Sequence, residues 1–242
     1  MRIPRIFHSQ PLTVGHTVDL EQDAANHVGR VLRLAVGHEL TLFCGDNHIY
    51  RAEIVAASKK QVQAKVLERT LNDVESPLRI HLVQGISRGD RMDFTLQKSV
   101  ELGVASITPV FTERCGVKLQ GERLIKKHQQ WQKIVIAACE QSGRNTVPTV
   151  HEPTTLTEYL DNADRPQTLT LEPSAEHSLK TVPINSEMAL LIGPEGGFST
   201  AEIAHTHTAN CVPVRLGPRV LRTETAALTA LAALQANHGD LI

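Results

Sequence analysis

The segment spanning residues 188–227 constrains this chain most, because it contains one local pattern twice. Each copy is a short apolar run, residues 189–192 or 212–216, followed by a turn with glycine and proline and then by a helix start. Apolar runs of this length between such breakers are typical of buried parallel strands. Open α/β sheets bind ligands at the carboxyl ends of their strands, so the two turns predict a ligand site.

The residues of these loops also indicate which class of ligand they bind. The phosphate-binding patterns G-x-G-x-x-G and G-x-x-x-x-G-K-[ST] are absent from the sequence, so neither turn predicts a pyrophosphate site. A third apolar run, residues 168–171, also ends in a loop. The loops at 171–173, 193–197 and 216–222 offer backbone amides and carbonyls with few fixed charges. This lining favours an uncharged heteroaromatic ring, and the adenine of S-adenosylmethionine fits that description.

Composition limits the possible partners. The 242 residues carry a formal net charge of -1, so any nucleic-acid surface must be a local patch. The four cysteines form no C-x-x-C pair and have no histidine at zinc spacing, so we expect reduced thiols and no metal site. No apolar run is long enough to cross a bilayer, and the N-terminus lacks the apolar region of a signal peptide. We therefore expect a cytoplasmic protein with no membrane partner.

A change of pattern near residue 72 predicts two domains, residues 1–72 and 73–242. The first contains alternating strands at 40–43, 49–55 and 62–67, typical of a small antiparallel barrel. Its one helix, over 23–34, is expected to bury Ala24, His27, Val28, Val31 and Leu32. In the second domain strands at 78–86 and 105–111 alternate with helices at 90–102 and 122–142. This order predicts an α/β fold with a mostly parallel sheet covered by helices.

Two helices of the second domain have apolar faces for which either the sheet or a second subunit is a suitable partner. The last helix, residues 224–236, is apolar almost all round, so we expect it to be buried, most simply against a subunit partner. In the helix over 122–142 a seam recurs at spacings of three and four residues. It consists of Leu124, His128, Trp131, Val135, Ala138 and Ser142. We interpret His128 as a hydrogen-bonded core histidine.

Six motifs make the chain recognisable when they are taken in order. They are RIPRIF at 2–7, QKSVELG at 97–103, ERCGVKL at 113–119, EQSGRN at 140–145, LLIGPEGGFS at 190–199 and LGPRVLRTETA at 216–226. Together they resemble the bacterial 16S ribosomal RNA uridine N3-methyltransferases of the SPOUT class. The resemblance covers both domains, although residues 147–187 carry no motif.

The resemblance implies a PUA-like N-terminal barrel that binds RNA and a SPOUT domain whose C-terminal segment forms a trefoil knot. It also implies a homodimer that methylates N3 of a uridine in 16S rRNA, in the assembled or assembling small ribosomal subunit. S-adenosylmethionine would be the methyl donor. The residues of this chain that match its pocket are Leu171, Ile192, Gly193, Pro194, Glu195, Gly196, Gly197, Leu216, Gly217, Leu221, Arg222, Thr223, Thr225 and Ala226.

The chemistry that the resemblance implies needs particular side chains. N3 of uridine carries a proton at neutral pH, so the base must be unpaired or flipped and the proton removed. Arg222 is the candidate that stabilises the resulting negative charge, and Glu224 is the candidate that accepts the proton or positions Arg222. Glu224 could instead be a helix N-terminal residue favoured by the helix dipole. Glu195 could cap the following helix or contact the cofactor.

RNA would be gripped through its phosphates by arginine and lysine side chains. The candidates are Arg2, Arg5, Arg30, Arg33, Arg88, Lys98, Arg114 and Arg144. Arg30 and Arg33 lie on the predicted outer side of the N-terminal helix, where solvated charges are an equally ordinary interpretation until the resemblance is considered.

Three alternatives stay open from the sequence. A non-catalytic RNA-binding protein with the same fold would bind S-adenosylmethionine without turnover. A nucleotide-dependent oxidoreductase would need the dinucleotide fingerprint that this chain lacks. A 2′-O-ribose methyltransferase is the alternative nearest in chemistry, since related SPOUT enzymes carry out that reaction.

Overall fold

The structure is a computed structural model and describes residues 3–58 and 61–241. The chain divides into two compact units. The smaller contains the described residues up to Glu75 together with Cys139–Val147, and the larger contains Ser76–Ala138 and the described residues from Pro148 onward. The sequence predicts a single division at residue 72, whereas the contacts also group Cys139–Val147 with the smaller unit. The functional assignment of the two domains stays a prediction.

The smaller unit is built on a five-stranded sheet in the order β1-β3-β4-β5-β2. Val62, Ala64 and Val66 on β5 are fully buried, which confirms the predicted alternation. Gly45 and Asn47 have positive φ in the turn between β3 and β4, as is common in tight hairpin turns. The strands are β1 Arg5–Phe7, β2 Thr17–Asp19, β3 Glu39–Phe43, β4 His48–Ala57 and β5 Val62–Leu71.

One pairing in this sheet differs from the antiparallel prediction. The strand β1 pairs with β3 in parallel, with Ile6 opposite Leu42, while the other pairs are antiparallel. Parallel neighbours need a long crossover, and the thirty or so residues between β1 and β3, which include a helix, provide it. The sheet is therefore mixed.

The helix of the smaller unit changes type part-way. The α-helix α1, Gln22–Asn26, continues as a π-helical turn, His27–Val31. Val28 is buried as predicted, but Val31 is 68% exposed and His27 and Leu32 are exposed as well. The prediction of their burial was wrong because a π turn uses i→i+5 hydrogen bonds and rotates the later positions away from an α-helical face.

The larger unit has a parallel seven-stranded sheet. Its order is β12-β10-β11-β6-β7-β8, and β9 also pairs with β7, so the α/β prediction is confirmed. The strands are β6 Arg79–Gly85, β7 Ser106–Phe111, β8 Thr149–Val150, β9 Thr154–Thr155, β10 Gln167–Leu171, β11 Glu187–Ile192 and β12 Val212–Val214. The helices are α2 Asp90–Glu101, α3 Gly121–Ser142, α4 Leu156–Asp161, α5 Thr200–Thr208 and α6 Thr223–His238. The threading of a trefoil knot stays a prediction.

Local sequence signals explain where two of these helices begin and pack. In α2 Met92, Leu96 and Val100 recur every four residues and their side chains are fully buried, so this apolar stripe faces the core. Before α5 the Ser199 hydroxyl accepts a hydrogen bond from the backbone N–H of Glu202, whose carboxylate accepts the Ser199 N–H. This reciprocal cap fixes the helix start directly after the glycine loop.

The helix seams are buried less completely than their sequences predict. On α6 Ala227, Ala230, Leu231 and Leu234 are buried, whereas the opposite face carries the exposed Thr229. A partner that covers that second face stays a prediction. No helix in the described part of the chain is both long and apolar enough to span a membrane.

On α3 the predicted seam is buried within this chain at Trp131, Val135 and Ala138. The ring Nε2 of the half-buried His128 lies 2.7 Å from the carbonyl oxygen of Val150, to which it donates a hydrogen bond. His128 is therefore the hydrogen-bonded histidine that the sequence predicts, and the middle of the seam needs no second subunit to cover it.

Candidate functional site

The carboxyl ends of three neighbouring strands of the larger unit surround one cavity. The strands β12, β10 and β11 are adjacent in the sheet, and the loops that follow them line a cavity of about 510 Å³. Thirteen of the predicted cofactor residues line it. They are Leu171, Ile192, Gly193, Pro194, Glu195, Gly196, Gly197, Leu216, Gly217, Leu221, Arg222, Thr223 and Ala226.

The glycine loop after β11 needs small residues for steric reasons. A Cβ on Gly85, at the end of β6, would lie 2.5 Å from the backbone nitrogen of Pro194. A Cβ on Gly196 would lie 2.9 Å from the Cβ of Arg114. Gly197 has a φ of 65°, and its N–H donates to the carbonyl of Pro194 at 2.9 Å. These close approaches hold the loop against its neighbours, and only glycine permits them.

The carboxylate of Glu195 connects this loop to the start of α2. Its Oε1 accepts the backbone N–H of Arg88 at 2.9 Å and lies 3.3 Å from the Arg91 guanidinium. Ser199, and not Glu195, caps the following helix. Glu195 lines the cavity, and its side chain is also a bridge between two loops.

Only some side chains at the start of α6 line the cavity. Arg222 is the N-cap residue, is exposed, and lines the cavity together with Thr223 and Ala226. Glu224 and Thr225 do not line it, because residues one or two positions after Thr223 are rotated by roughly 100–200° around a helix. The geometry therefore gives no support to Thr225 as a cofactor contact. The Oε2 of Glu224 is buried and has no hydrogen-bond partner among the described residues.

The cavity carries more charge than the sequence predicts. Four arginines line it, together with the carboxylates Glu172 and Glu195. Glu172 is held by the Ser174 hydroxyl at 2.7 Å and faces the His207 ring at 3.1 Å. The lining residues absent from the predicted set are Arg91, Glu172, Pro173, Phe198, Ile203, Val214, Arg215, Arg219 and Val220. Glu172, Pro173, Arg219 and Val220 lie within the loops predicted at 171–173 and 216–222, and Phe198, Val214 and Arg215 adjoin predicted loops. Arg91, in contrast, lies in the first turn of α2, which only the strand order brings to the site.

Comparison with known proteins identifies the family. A model described as the RNA methyltransferase domain matches residues 74–235, and one described as the RNA methyltransferase PUA domain matches residues 20–67. The ribosomal RNA small subunit methyltransferase E of Buchnera aphidicola from Schizaphis graminum is 38% identical and covers 99% of this chain and 98% of its own. The protein of that name from Bacillus subtilis is 31% identical, over 93% of this chain and 92% of its own.

The chain belongs to the ribosomal RNA small subunit methyltransferase E family. A solved member from Neisseria gonorrhoeae, bound to S-adenosyl methionine, is 43% identical with a TM-score of 0.94 and full coverage of both chains. A Legionella pneumophila protein, solved in complex with the same cofactor, is 47% identical with a TM-score of 0.96 and full coverage of both chains. These neighbours and the PUA match confirm the predicted fold class, a SPOUT-like α/β domain with a PUA-like N-terminal domain.

Two arginines predicted to bind RNA in this methyltransferase are engaged inside the smaller unit. Arg5 donates to the carbonyls of Gly143 and Arg144, each at 3.1 Å, and to Asn145 Oδ1 at 2.7 Å. Arg144 is 5% exposed, and its guanidinium makes two hydrogen bonds to the carboxylate of Glu75. Both side chains therefore hold the loop after α3 in place, and burial removes Arg144 from contact with a phosphate.

The other predicted RNA contacts lie on the surface or at its edge. Arg30 and Arg33 are exposed in the smaller unit, and Arg33 has a φ of 54°. Arg88 and Arg114 are exposed beside the glycine loop, where Arg114 Nη1 donates to the carbonyl of Gly196 at 3.3 Å. Lys98 is paired with Glu101 on α2 at 2.7 Å. Arg2 lies outside the described residues.

The chain also contains free cysteines and many histidines, which bear on metal binding. Cys44, Cys115, Cys139 and Cys211 form no disulfide. Within residues 3–58 and 61–241 no three histidine, cysteine or acidic side chains are grouped so as to hold a metal ion.

Proposed function

We propose that this chain transfers the methyl group of S-adenosylmethionine to N3 of a uridine in the 16S rRNA of the small ribosomal subunit. The observation that carries the proposal is the cavity of this chain at the ends of β10, β11 and β12. The Neisseria gonorrhoeae protein, which has the same fold, was solved with S-adenosyl methionine bound. The substrate is assigned from the curated relatives, which are named for the small-subunit RNA.

The cavity suits this cofactor in size and chemistry. Its volume of about 510 Å³ lies within the usual range of small-molecule sites. Leu171, Ile192 and Phe198 provide apolar walls for an adenine ring, and the glycine loop lines the cavity without side chains at Gly193, Gly196 and Gly197. The thirteen predicted residues that line the cavity are the proposed binding residues. Thr225 is left out.

The side chains of the site must remove the proton from N3 of the uridine and stabilise the negative charge that this leaves on the base. S-adenosylmethionine, when bound, supplies the methyl group as an electrophilic sulfonium. Arg222 lines the cavity and is exposed, so it is the proposed stabiliser of the negative charge that forms on O2 or O4 when N3 loses its proton. Glu224 remains the proposed proton acceptor or the residue that positions Arg222. Its buried, unpartnered Oε2 gives it an open acceptor, although it lies outside the cavity lining.

The RNA and a second copy of the chain complete the proposed assembly. Arg88 and Arg114 lie beside the glycine loop and would bind phosphates there, while Arg30 and Arg33 would do so on the PUA-like unit. A homodimer is proposed because Val220, in a loop that lines the cavity, is 83% exposed, and the outer face of α6 is partly apolar. Assembly with the small subunit would place the enzyme in the cytoplasm.

The deciding experiment is methyl transfer from labelled S-adenosylmethionine to small subunits that lack this modification, followed by nucleoside mass spectrometry. The expected product is N3-methyluridine at one site, with Arg222→Ala as the inactive control. Label in a 2′-O-methylated nucleoside would overturn the chemistry and keep the fold. Stoichiometric cofactor binding without label in any RNA would favour a non-catalytic RNA-binding protein.

A further inference from the structure

Three neighbouring segments, two of which line the cavity, meet at one hydroxyl group. The Thr223 Oγ1 donates its proton to the carbonyl oxygen of Gly193 at 2.6 Å. Thr223 Oγ1 also accepts a hydrogen bond from Nε2 of Gln84 at 2.9 Å. The same Nε2 donates to the carbonyl of Gly85 at 3.1 Å. The end of β6, the start of the glycine loop and the first turn of α6 are thereby joined by a continuous chain of hydrogen bonds.

The direction of each hydrogen bond in this chain is fixed by chemistry. A carbonyl oxygen can only accept, so the single proton of the Thr223 hydroxyl is used on Gly193. Thr223 can then only accept from Gln84, and Gln84 must present its amide NH₂ toward both Thr223 and the Gly85 carbonyl. Gln84 is completely buried, and its Oε1 has no partner among the described residues. An unpaired buried acceptor is costly, so its two donated bonds are what hold the amide in this orientation and offset that cost.

We propose that Gln84 is a positioning residue for methyl transfer: through Thr223 it fixes the start of α6 against the glycine loop. The start of α6 lines the cavity with Leu221, Arg222 and Ala226. The hydrogen-bond chain therefore fixes the position of the Arg222 backbone, from which its side chain extends. Thr223 lines the cavity, but its proton is already used, and its hydroxyl cannot donate to a ligand. This inference rests on the proposed function, because the cavity is taken to bind S-adenosylmethionine.

The test uses the full chain and measures S-adenosylmethionine binding by calorimetry without RNA. Gln84→Glu keeps the shape but removes both donated bonds and sets a carboxylate against the Gly85 carbonyl, and Thr223→Val removes the hydroxyl at nearly constant volume. Each is expected to weaken binding by about 10-fold to 100-fold, since one or two buried groups lose their partners. Thr223→Ser retains the hydroxyl and should bind within about threefold of wild type. Gln97→Glu, on the exposed face of α2, is the matched control and should bind normally.

A second readout separates positioning from general stability. In both weakened variants, amide hydrogen exchange should rise at residues 193–197 and 222–226 while the amides of α3 keep their wild-type protection. Uniformly increased exchange in both would mean that the hydrogen-bond chain serves folding alone, and the proposal would be overturned. Wild-type affinity in Gln84→Glu or in Thr223→Val would overturn it too. If the wild-type protein itself fails to bind S-adenosylmethionine, the proposed function fails instead.

Discussion

Two groups of arginines differ in how their guanidinium groups are engaged. In the larger unit Arg219 and Arg222 line the cavity and are exposed. In the smaller unit Arg5 and Arg144 make hydrogen bonds to backbone carbonyls and to a carboxylate around the loop after α3. Both groups belong to motifs of the same family, yet one faces a ligand site and the other holds the fold.

The difference shows what decides the role of an arginine in a motif. Arg144 is buried, so the cost of removing its charge from water is offset by the paired Glu75. Arg222 precedes α6 as its N-cap residue and is exposed, so folding does not depend on its charge. Substitution of Arg144 should therefore lower the free energy of unfolding, and substitution of Arg222 should lower the rate of methyl transfer.

The largest predicted effect is on the free energy of unfolding. Arg144→Ala leaves the carboxylate of Glu75 without its guanidinium and should destabilise the protein by about 3–5 kcal/mol. Urea unfolding checks this. Arg33→Ala, which removes an exposed arginine from the same unit, should change stability by no more than about 0.5 kcal/mol. An Arg144→Ala protein that is as stable as wild type but has lost affinity for RNA would contradict the assignment of Arg144 to the fold.

The second effect is on the rate of methyl transfer. Arg222→Ala removes the proposed stabiliser of charge on the base and should lower the rate at saturating substrates by about 100-fold or more. Its unfolding free energy should stay within about 0.5 kcal/mol of wild type, because the side chain is exposed. Arg219→Ala, in the same loop, is the control and should lose less activity. A full rate in Arg222→Ala would remove this arginine from the proposed reaction.

The half-buried His81 makes the stability of the larger unit depend on pH. The His81 Nδ1 lies 2.6 Å from Ser106 Oγ and its Nε2 lies 3.0 Å from Thr108 Oγ1. Burial, with repulsion from His151, lowers the pKa of His81 from 6.5 to about 4. Between these values the unfolded chain binds a proton that the folded chain does not, so stability falls as pH falls, by up to about 3 kcal/mol at pH 4.

Unfolding free energies measured from pH 7 to pH 4 test this assignment. The His81→Gln variant has no imidazole to protonate, so its stability should fall less over that range than that of the wild-type protein. The difference between the two curves removes the contribution of carboxylates that titrate in both proteins. Parallel curves would mean that His81 takes up its proton at the same pH in the folded and unfolded chains.

The sequence predicts the local elements of the fold well, because their signals lie within each element. The apolar runs of β6 and β11, the stripe of α2 and the Ser199–Glu202 cap are all found where the pattern places them. The three loops of the cavity follow from the same pattern, since the ends of parallel strands are ligand sites.

What the sequence does not predict depends on contacts between distant segments. The pairing of Arg144 with Glu75 joins residues 69 positions apart, and nothing in either local pattern distinguishes this arginine from an exposed one. Arg91 reaches the cavity only because β11 lies beside β6 in the sheet. The π turn after α1 also has no signal in a pattern that otherwise suits an α-helix.

The smallest predicted effect concerns Arg114, which lies between the two groups. It is exposed, as a phosphate contact should be, but it also donates to the Gly196 carbonyl, as a residue that supports the fold would. If it binds one phosphate, Arg114→Ala should reduce the slope of log affinity for RNA against log salt concentration by about 0.7–0.9. Affinity for S-adenosylmethionine should change by less than about threefold, because a surface hydrogen bond contributes little.

Salt titrations of RNA binding distinguish these roles when a matched lysine is included. Lys126→Ala removes a cation that is 76% exposed and paired with Glu122 on α3, so it should leave the salt slope unchanged. An unchanged slope in Arg114→Ala, together with weaker cofactor binding, would place Arg114 with Arg5 and Arg144 among the arginines that hold loops. A reduced slope with normal cofactor binding would place it with the arginines that face a ligand, and would show that one hydrogen bond to a loop carbonyl does not prevent an exposed guanidinium from binding phosphate.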